Sequence, residues 1–234
     1  MTTNPELVDS IRANPQLNAM RAKIVRFGAL LYDRHLTDAA GGNISARVGE
    51  YVCISPRYSG SARQWQLKPE EVLIADMDMN ILDGNGEISR ESKVHFRLHR
   101  EFGEHGTGVI HAHARNILVF AAMNRPMPPV LEATQKFGTV PVVPYAPAHG
   151  NGLAESVSGG IRGNQSRIRK QAAGVIAPWH GLFVMGKDLD AAFDAVERMD
   201  NNAYCILMSQ LLRNADMLDA ERSALEQAQA DYRE

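Results

Sequence analysis

The chain has few cysteines, no long apolar run and no cluster of basic residues. Its 234 residues include two cysteines, Cys53 and Cys205, which lie far apart and favour reduced thiols over a disulfide framework. No stretch approaches the ~20 apolar residues that a membrane span needs, and residues 1–13 lack the apolar core of a secretion signal. We therefore expect a cytoplasmic protein that does not enter a membrane.

The charge pattern excludes two large classes of partner. The formal net charge is -2 and no basic run is present, whereas a nucleic acid or an anionic membrane would attract clustered Lys and Arg. A small-molecule substrate is the better expectation. With 44% hydrophobic residues the chain can bury one sizeable core, so we expect a single domain over residues 1–234, with a core of about 20–212 and a tail of 213–234.

The apolar spacing predicts short strands interleaved with helices. Helices are predicted at 16–34, 91–102 and 115–123. Two more are predicted, one that begins near residue 153 and one that follows an N-cap at Asp188. Strands are predicted at 43–48, 51–55, 72–76, 108–113, 140–143, 173–178 and 182–185, with a turn at 83–86. This irregular alternation favours a mainly antiparallel central sheet with helices on both faces, an α/β/α sandwich.

Three histidines form a candidate metal site. His111 and His113 end an apolar run, and because alternate residues of a strand share a face, both imidazoles should point the same way. His180 lies in a Trp-His-Gly turn between two predicted strands, from which it could project into a cleft. Three imidazoles with an open position are the usual catalytic arrangement for Zn²⁺, and Mn²⁺ or Fe²⁺ also suit such ligands.

Other titratable residues allow more than one interpretation. Glu91, at a predicted helix start, could be a fourth ligand, a base, or an acid stabilised by the helix dipole. His95 and His99 are spaced four residues apart on that helix, which is more typical of a surface or core pair than of ligands. His149 lies in a loop rich in Pro and Gly and could line a cleft.

The order of these motifs resembles that of the class II aldolase/adducin family. The shared features are Gly41-Gly42-Asn43-Ile44-Ser45, Glu91, His111-Ala112-His113 and His180-Gly181, within about residues 20–212. The resemblance implies an α/β/α sandwich, a C4 tetramer with its active site near a subunit interface, and a divalent metal, Mn²⁺ or Zn²⁺, on His111, His113 and His180. It also makes Glu91 a ligand or a base. Members of the family break a carbon–carbon bond while the metal stabilises a carbanion or enolate.

Two departures from the sugar-phosphate aldolases of that family concern the substrate. Their phosphate is bound by a Gly-Asn loop, a short Thr-Pro turn and a Ser-Ser pair before the acid, whereas this chain has a longer turn, 55–60, and the pair Ser89-Arg90. A guanidinium at Arg90, or at Arg115, would suit a planar carboxylate, although a phosphate clamp or a surface charge fits as well. Glu132 falls where the aldolases present a tyrosine, so it either moves a proton or is a structural acid.

These departures favour a decarboxylase over an aldolase. Our first hypothesis is decarboxylation of a hydroxylated pyridine or benzene dicarboxylate, as in 3-hydroxy-2-methylpyridine-4,5-dicarboxylate 4-decarboxylase, with Glu91, Glu132 or water protonating the product. The competing hypothesis is retro-aldol cleavage or epimerisation of a ketose phosphate such as fuculose 1-phosphate. Its phosphate would be bound by Asn43, Ser55, Ser59, Gly60 and Ser89. A non-catalytic scaffold resembling adducin is a third hypothesis, which the complete set of histidines and acid disfavours.

Overall fold

A seven-stranded antiparallel sheet forms the centre of the computed structural model, which describes residues 5–39, 41–212 and 227. The strands are β1 (Asn43–Val48), β2 (Tyr51–Ile54), β3 (Leu73–Ala75), β4 (Ile81–Asp83), β5 (Gly108–Ala112), β6 (Ala172–Ala177) and β7 (Gly181–Gly186). Their order across the sheet is β4-β3-β2-β1-β5-β7-β6, and every neighbouring pair is antiparallel. The predicted antiparallel sheet is confirmed.

Helices cover both faces of this sheet. They are α1 (Pro5–Ala13), α2 (Pro15–Asp33), α3 (Ser92–Phe102), α4 (Arg115–Ala122), α5 (Asn151–Ile161), α6 (Gln165–Lys170) and α7 (Leu189–Leu212). Ile110 and Ala112 of β5 pack in the core under α2, α4 and α7, whereas Val109 packs under α3, α5 and α6. The predicted α/β/α sandwich is therefore confirmed. None of the described helices is long and apolar enough to cross a membrane.

Local signals explain where α2 begins and how it attaches to the sheet. The Asn14 side chain accepts hydrogen bonds from the backbone of Gln16 and Leu17, and Pro15 occupies the first turn, where its missing N–H costs nothing. One turn further on, the buried Arg21 donates to Asp83 at 2.6 Å and to the Val72 carbonyl at 3.1 Å. The helix is thus fixed to the β3–β4 edge.

The structure corrects one predicted strand and adds elements. Residues 140–143 form isolated bridges, Met127 with Val140 and Val142 with Ile176, because Pro141 has no N–H to continue a ladder. The strand prediction there is wrong. Helices α1 and α6 and strand β4 were not predicted, and the expected tail, 213–234, lies outside the described residues apart from 227. Both cysteines are free thiols, buried at 53 and half-buried at 205.

The sheet register brings the Gly-Gly-Asn, His-Ala-His and His-Gly motifs of the sequence to one edge. Asn43 of β1 pairs with His111 of β5, and Ala112 pairs with Leu182 of β7. The turn that joins β6 to β7 carries His180, next to Gly181 at the start of β7. Motifs separated by more than a hundred residues therefore meet where β1 begins and β5 ends.

Candidate active site

Three of the histidines singled out in the sequence converge at this edge. His111 lies on β5, His113 follows its last residue, and His180 comes from the β6–β7 turn. One ring nitrogen from each lies within 4.8 Å of the other two. We call His111, His113 and His180 the histidine triad. His111 is fully buried, whereas the other two are half-buried and reach the cleft.

The environment of His111 fits a metal ligand. Its Nδ1 lies 2.9 Å from the Leu182 carbonyl oxygen and donates to it, and its ring stacks on Phe183 with centroids 4.0 Å apart. A proton on Nδ1 leaves the lone pair on Nε2, which is buried and has no hydrogen-bond partner among the described residues. Burial also holds the pKa of His111 well below its usual value, so the ring is neutral, the form that binds a metal.

Two glycines allow the triad to pack closely. A Cβ added to Gly41 would lie 1.9 Å from Cε1 of His113, and one added to Gly181 would lie 2.7 Å from the carbonyl oxygen of Ala112. His113 also places Nδ1 3.3 Å from Oδ2 of Asp38. Glycine is needed at these two positions because the ring of His113 and the carbonyl oxygen of Ala112 lie where a Cβ atom would be.

Glu91 connects the triad to the cleft. It is the residue that immediately precedes α3, and its side chain makes no capping hydrogen bond. Its carboxylate lies 3.0 Å from Nε2 of His180, 3.4 Å from Nε2 of His111 and 3.6 Å from Nδ1 of His149. Burial alone would raise the pKa of Glu91, but the interactions with these imidazoles outweigh it and hold the pKa well below its usual range. Glu91 is thus an anion at neutral pH and can serve as a ligand or as a base.

A small polar cavity of about 110 Å³ opens beside Glu91. The predicted substrate residues that line it are Asn43, Ser59, Gly60, Ser89 and Arg90. Within it, Nδ2 of Asn43 donates to Oγ of Ser89 at 3.0 Å. Arg90 is exposed and forms no ion pair with any of the described residues. Arg57 also lines the cavity, where Glu87 holds it at 2.7 Å.

Three predicted residues do not meet in this cavity. The Oγ of Ser55 is buried and accepts a hydrogen bond from the backbone N–H of Ile44 at 3.0 Å, so this side chain joins the end of β2 to the start of β1. Arg115 lines a second cavity, of about 540 Å³, together with His113. Glu132 is exposed on a 3-10 helix, Glu132–Phe137, and lines neither cavity. The substrate-binding roles of Ser55 and Arg115 and the proton-transfer role of Glu132 stay predictions.

His149 is the residue whose importance the sequence understated. Its side chain lines the cavity beside Glu91, and its backbone has φ 70°, a left-handed conformation that is uncommon outside glycine. Strained conformations of this kind cluster at functional sites. The signal available in the sequence was the run of Pro and Gly around His149, which does not identify the cavity that the loop faces.

A family model described as the class II aldolase and adducin N-terminal domain matches residues 22–207. The chain belongs to this family. Class II aldolases use a divalent metal ion, and the histidine triad supplies the residues that would hold it. The resemblance found in the sequence is confirmed at the level of the family.

Named relatives of this class II aldolase family member include two kinds of lyase. An L-fuculose phosphate aldolase of Methanococcus maripaludis is 28% identical over 182 residues, which cover 77% of this chain and 92% of the relative. A 3-oxo-tetronate 4-phosphate decarboxylase of Haemophilus influenzae is 25% identical over 217 residues, covering 89% and 96%. Both relatives therefore cleave a carbon–carbon bond. Their names do not decide whether the product of this protein is an aldehyde or CO₂.

A solved structure shows the same fold. An L-fuculose 1-phosphate aldolase superposes with a TM-score of 0.73 at 21% identity, over 86% of this chain and 89% of that chain. At this identity the likeness establishes the architecture of the sandwich, not the substrate.

Proposed function

We propose that this protein is a divalent-metal-dependent lyase that cleaves a carbon–carbon bond in a phosphorylated small molecule, with retro-aldol cleavage as the leading reaction. The observation that carries this proposal is the cavity beside Glu91. Its volume of about 110 Å³ and its lining of serines, an asparagine, glycines and the guanidinium of Arg90, which has no ion pair among the described residues, suit a compact anion such as phosphate. The names of both relatives described above include a phosphate.

The chemistry follows from the position of the triad next to this cavity. A divalent ion bound by His111, His113 and His180 would polarise a substrate carbonyl and stabilise the charge released when the bond breaks. Asn43, Ser59, Ser89 and Arg90 would hold the phosphate, so that the reacting carbons extend toward the triad. Binding the phosphate in this way fixes the substrate before reaction, which lowers the entropic part of the barrier.

Glu91 is the residue we assign to proton transfer. Its anionic carboxylate lies at the boundary between the triad and the phosphate cavity, where it can accept the hydroxyl proton of the substrate. His149, 3.6 Å from the same carboxylate and 40% exposed at its side chain, can exchange that proton with solvent. Glu132 would contribute only if a neighbouring subunit brought it to the cleft, as the expected tetramer allows.

Decarboxylation of a hydroxylated pyridine or benzene dicarboxylate is the second candidate. Arg90 favours it, because an exposed guanidinium beside Glu91 can bind a planar carboxylate through paired donors. The small volume of the cavity disfavours an aromatic ring there, although the ring could lie nearer the triad. In both candidate functions the protein would use Zn²⁺ or Mn²⁺ and would act in the cytoplasm.

The reactions are distinguished by their products. The metal-loaded protein would be incubated with fuculose 1-phosphate, with 3-oxo-tetronate 4-phosphate and with hydroxylated pyridine and benzene dicarboxylates, while triose phosphate and CO₂ are measured. The matched control is His113→Ala, which removes a ligand that is only half-buried. Triose phosphate that forms from fuculose 1-phosphate without CO₂, and that requires His113, supports retro-aldol cleavage. Loss of CO₂ from 3-oxo-tetronate 4-phosphate also leaves a triose phosphate, so there the CO₂ identifies decarboxylation. CO₂ released from a ring dicarboxylate, together with no triose phosphate from any substrate, would favour the second candidate over retro-aldol cleavage.

Phosphate binding gives a test that does not depend on the right substrate. Inorganic phosphate should compete with a phosphorylated substrate and should bind the metal-free protein in calorimetry, with affinity reduced in Arg90→Ser. Absence of phosphate binding, together with binding of a ring dicarboxylate, would contradict the phosphate assignment of the cavity.

A further inference from the structure

A buried hydroxyl joins two histidines behind Glu91. Ser45 lies on β1, and His95 and His99 lie one turn apart on α3, each fully buried. The Oγ of Ser45 is 2.7 Å from Nδ1 of His95 and 2.8 Å from Nε2 of His99. We call these three residues the histidine-serine row. The row lines neither cavity and has no part in the mechanism above.

The hydroxyl can satisfy both imidazoles in two ways. Because it has one proton, it donates to one ring nitrogen and accepts from the other. In the first arrangement His99 donates to Ser45 and Ser45 donates to His95. In the second, both hydrogen bonds are reversed. Each arrangement therefore fixes the tautomers of both histidines together.

The outer nitrogens distinguish these arrangements. Nε2 of His95 and Nδ1 of His99 are buried and have no hydrogen-bond partner among the described residues. Burial lowers the pKa of His95 to about 4 and that of His99 to about 3, so both rings are neutral at neutral pH. The first arrangement places the outer proton on His95 and a lone pair on His99, and the second does the opposite.

Charges at the two ends of the row favour the first arrangement. Glu91 precedes α3, one turn before His95, and its negative charge acts on that ring. Arg47 acts on His99, and its guanidinium lies close to Gly103 at the other end of α3. A row whose N–H and O–H bonds all point from Arg47 toward Glu91 is aligned with both charges. The helix dipole opposes this, but with only about half a unit charge at each end.

We propose that the histidine-serine row runs in one direction, with the N–H of His95 at its positive end, toward Glu91, and that the charges of Glu91 and Arg47 select this direction. The direction of the row does not rest on the proposed function.

Nitrogen-15 NMR of the metal-free protein, labelled at histidine, tests this direction because it reports which ring nitrogen carries the proton. His95→Gln and His99→Gln assign the signals. We expect both His95 and His99 to carry the proton on Nε2. In Glu91→Gln, which removes the charge, we expect part of the population to shift to Nδ1 at both rings. The control Glu104→Gln changes an exposed acid just beyond α3 and should leave the tautomers unchanged.

Variants of Ser45 test the coupling. Ser45→Thr keeps the hydroxyl and should preserve both tautomers, whereas Ser45→Ala should let the two rings change independently. A wild-type protein with Nδ1 protonated on both rings, or tautomers that do not respond to Glu91→Gln, would overturn the proposal. An enzyme inactive on every substrate tried, but with the expected tautomers, would reject the proposed function and retain the row.

Discussion

Two groups of histidines in this protein each contain a closely spaced pair, but their surroundings are opposite. The histidine triad directs ring nitrogens toward one another at the edge of a cleft, with Glu91 beside them. In the histidine-serine row the facing nitrogens of His95 and His99 are already bonded through the hydroxyl of Ser45, and both rings are closed off from solvent. A metal can therefore enter the first group, while the second has its inner nitrogens occupied.

The comparison shows that spacing alone does not identify a metal site. Residues two apart on a strand and residues four apart on a helix both place imidazoles on one face. What separates the two groups is the partner between the nitrogens and access to the cleft, and both depend on tertiary packing. The variants below test that distinction, starting with the largest expected effect.

Loss of one triad ligand should abolish activity and retained metal, while loss of a row histidine should not. In His113→Ala we expect metal affinity to fall by more than the ~10- to 100-fold typical of losing an outer partner of a ligand. His99→Gln should retain the metal while lowering stability, since it disturbs a buried pair. Elemental analysis of the dialysed protein measures the metal that each variant retains. Equal metal loss in the two variants would remove the distinction between the groups.

Glu91→Gln should separate catalysis from metal binding. General acid–base catalysis contributes about 10²- to 10⁴-fold, so we expect kcat to fall within that range. The triad is unchanged, so most of the metal should be retained. Steady-state kinetics with metal analysis checks this, with Glu104→Gln as the control. A variant that loses its metal completely would show that Glu91 acts mainly as a ligand.

Gly41→Ala should damage the triad without removing any ligand. The new Cβ would overlap the ring of His113, which must then move, and we expect about a 10- to 100-fold loss of metal affinity. The matched control is Gly159→Ala on α5, where an added Cβ meets nothing within 4 Å. Metal titration of both variants is the measurement, and equal affinities would mean that the loop does not hold the ligand.

Arg90→Ser should weaken substrate binding more than it slows the reaction. Loss of a charged hydrogen bond costs ~1.5–3 kcal/mol, so KM should rise by roughly 10- to 150-fold with a smaller change in kcat. Arg57→Gln is a useful comparison, because Glu87 already holds that guanidinium and its loss should cost less. An unchanged KM in Arg90→Ser would exclude Arg90 from the anion site.

The row should leave a signature in the pH dependence of stability. The folded-state pKa values of His95 and His99, about 4 and about 3, lie below the ordinary value of 6.5, so the unfolded chain binds protons first as the pH falls. The metal-free protein should therefore lose stability below pH 6.5, by up to ~1.4 kcal/mol per pH unit for each ring.

Chemical denaturation at several pH values measures this slope. His99→Gln should make it shallower, whereas His35→Asn, at an exposed position with φ 57° that Asn tolerates, should leave it unchanged. An identical slope in wild type and His99→Gln would show that His99 does not resist protonation in the folded protein.

Much of the sandwich and the pair of histidines on β5 was predictable because their causes are local. Strand alternation placed His111 and His113 together, whereas His180 was assigned to the same site through the family resemblance. The failures have tertiary causes. Pro141 prevented the predicted strand at 140–143, and Arg115 lines a different cavity because of how α4 packs. His149 reached the cavity through a strained loop that no periodic pattern reveals.

Anomalous X-ray scattering from crystals grown with Zn²⁺ or Mn²⁺ shows directly where the metal binds. We expect one peak bonded to nitrogens of His111, His113 and His180, at about 2.0–2.1 Å for zinc, and none at the histidine-serine row. A peak between His95 and His99, or no peak at the triad at saturating metal, would contradict this expectation.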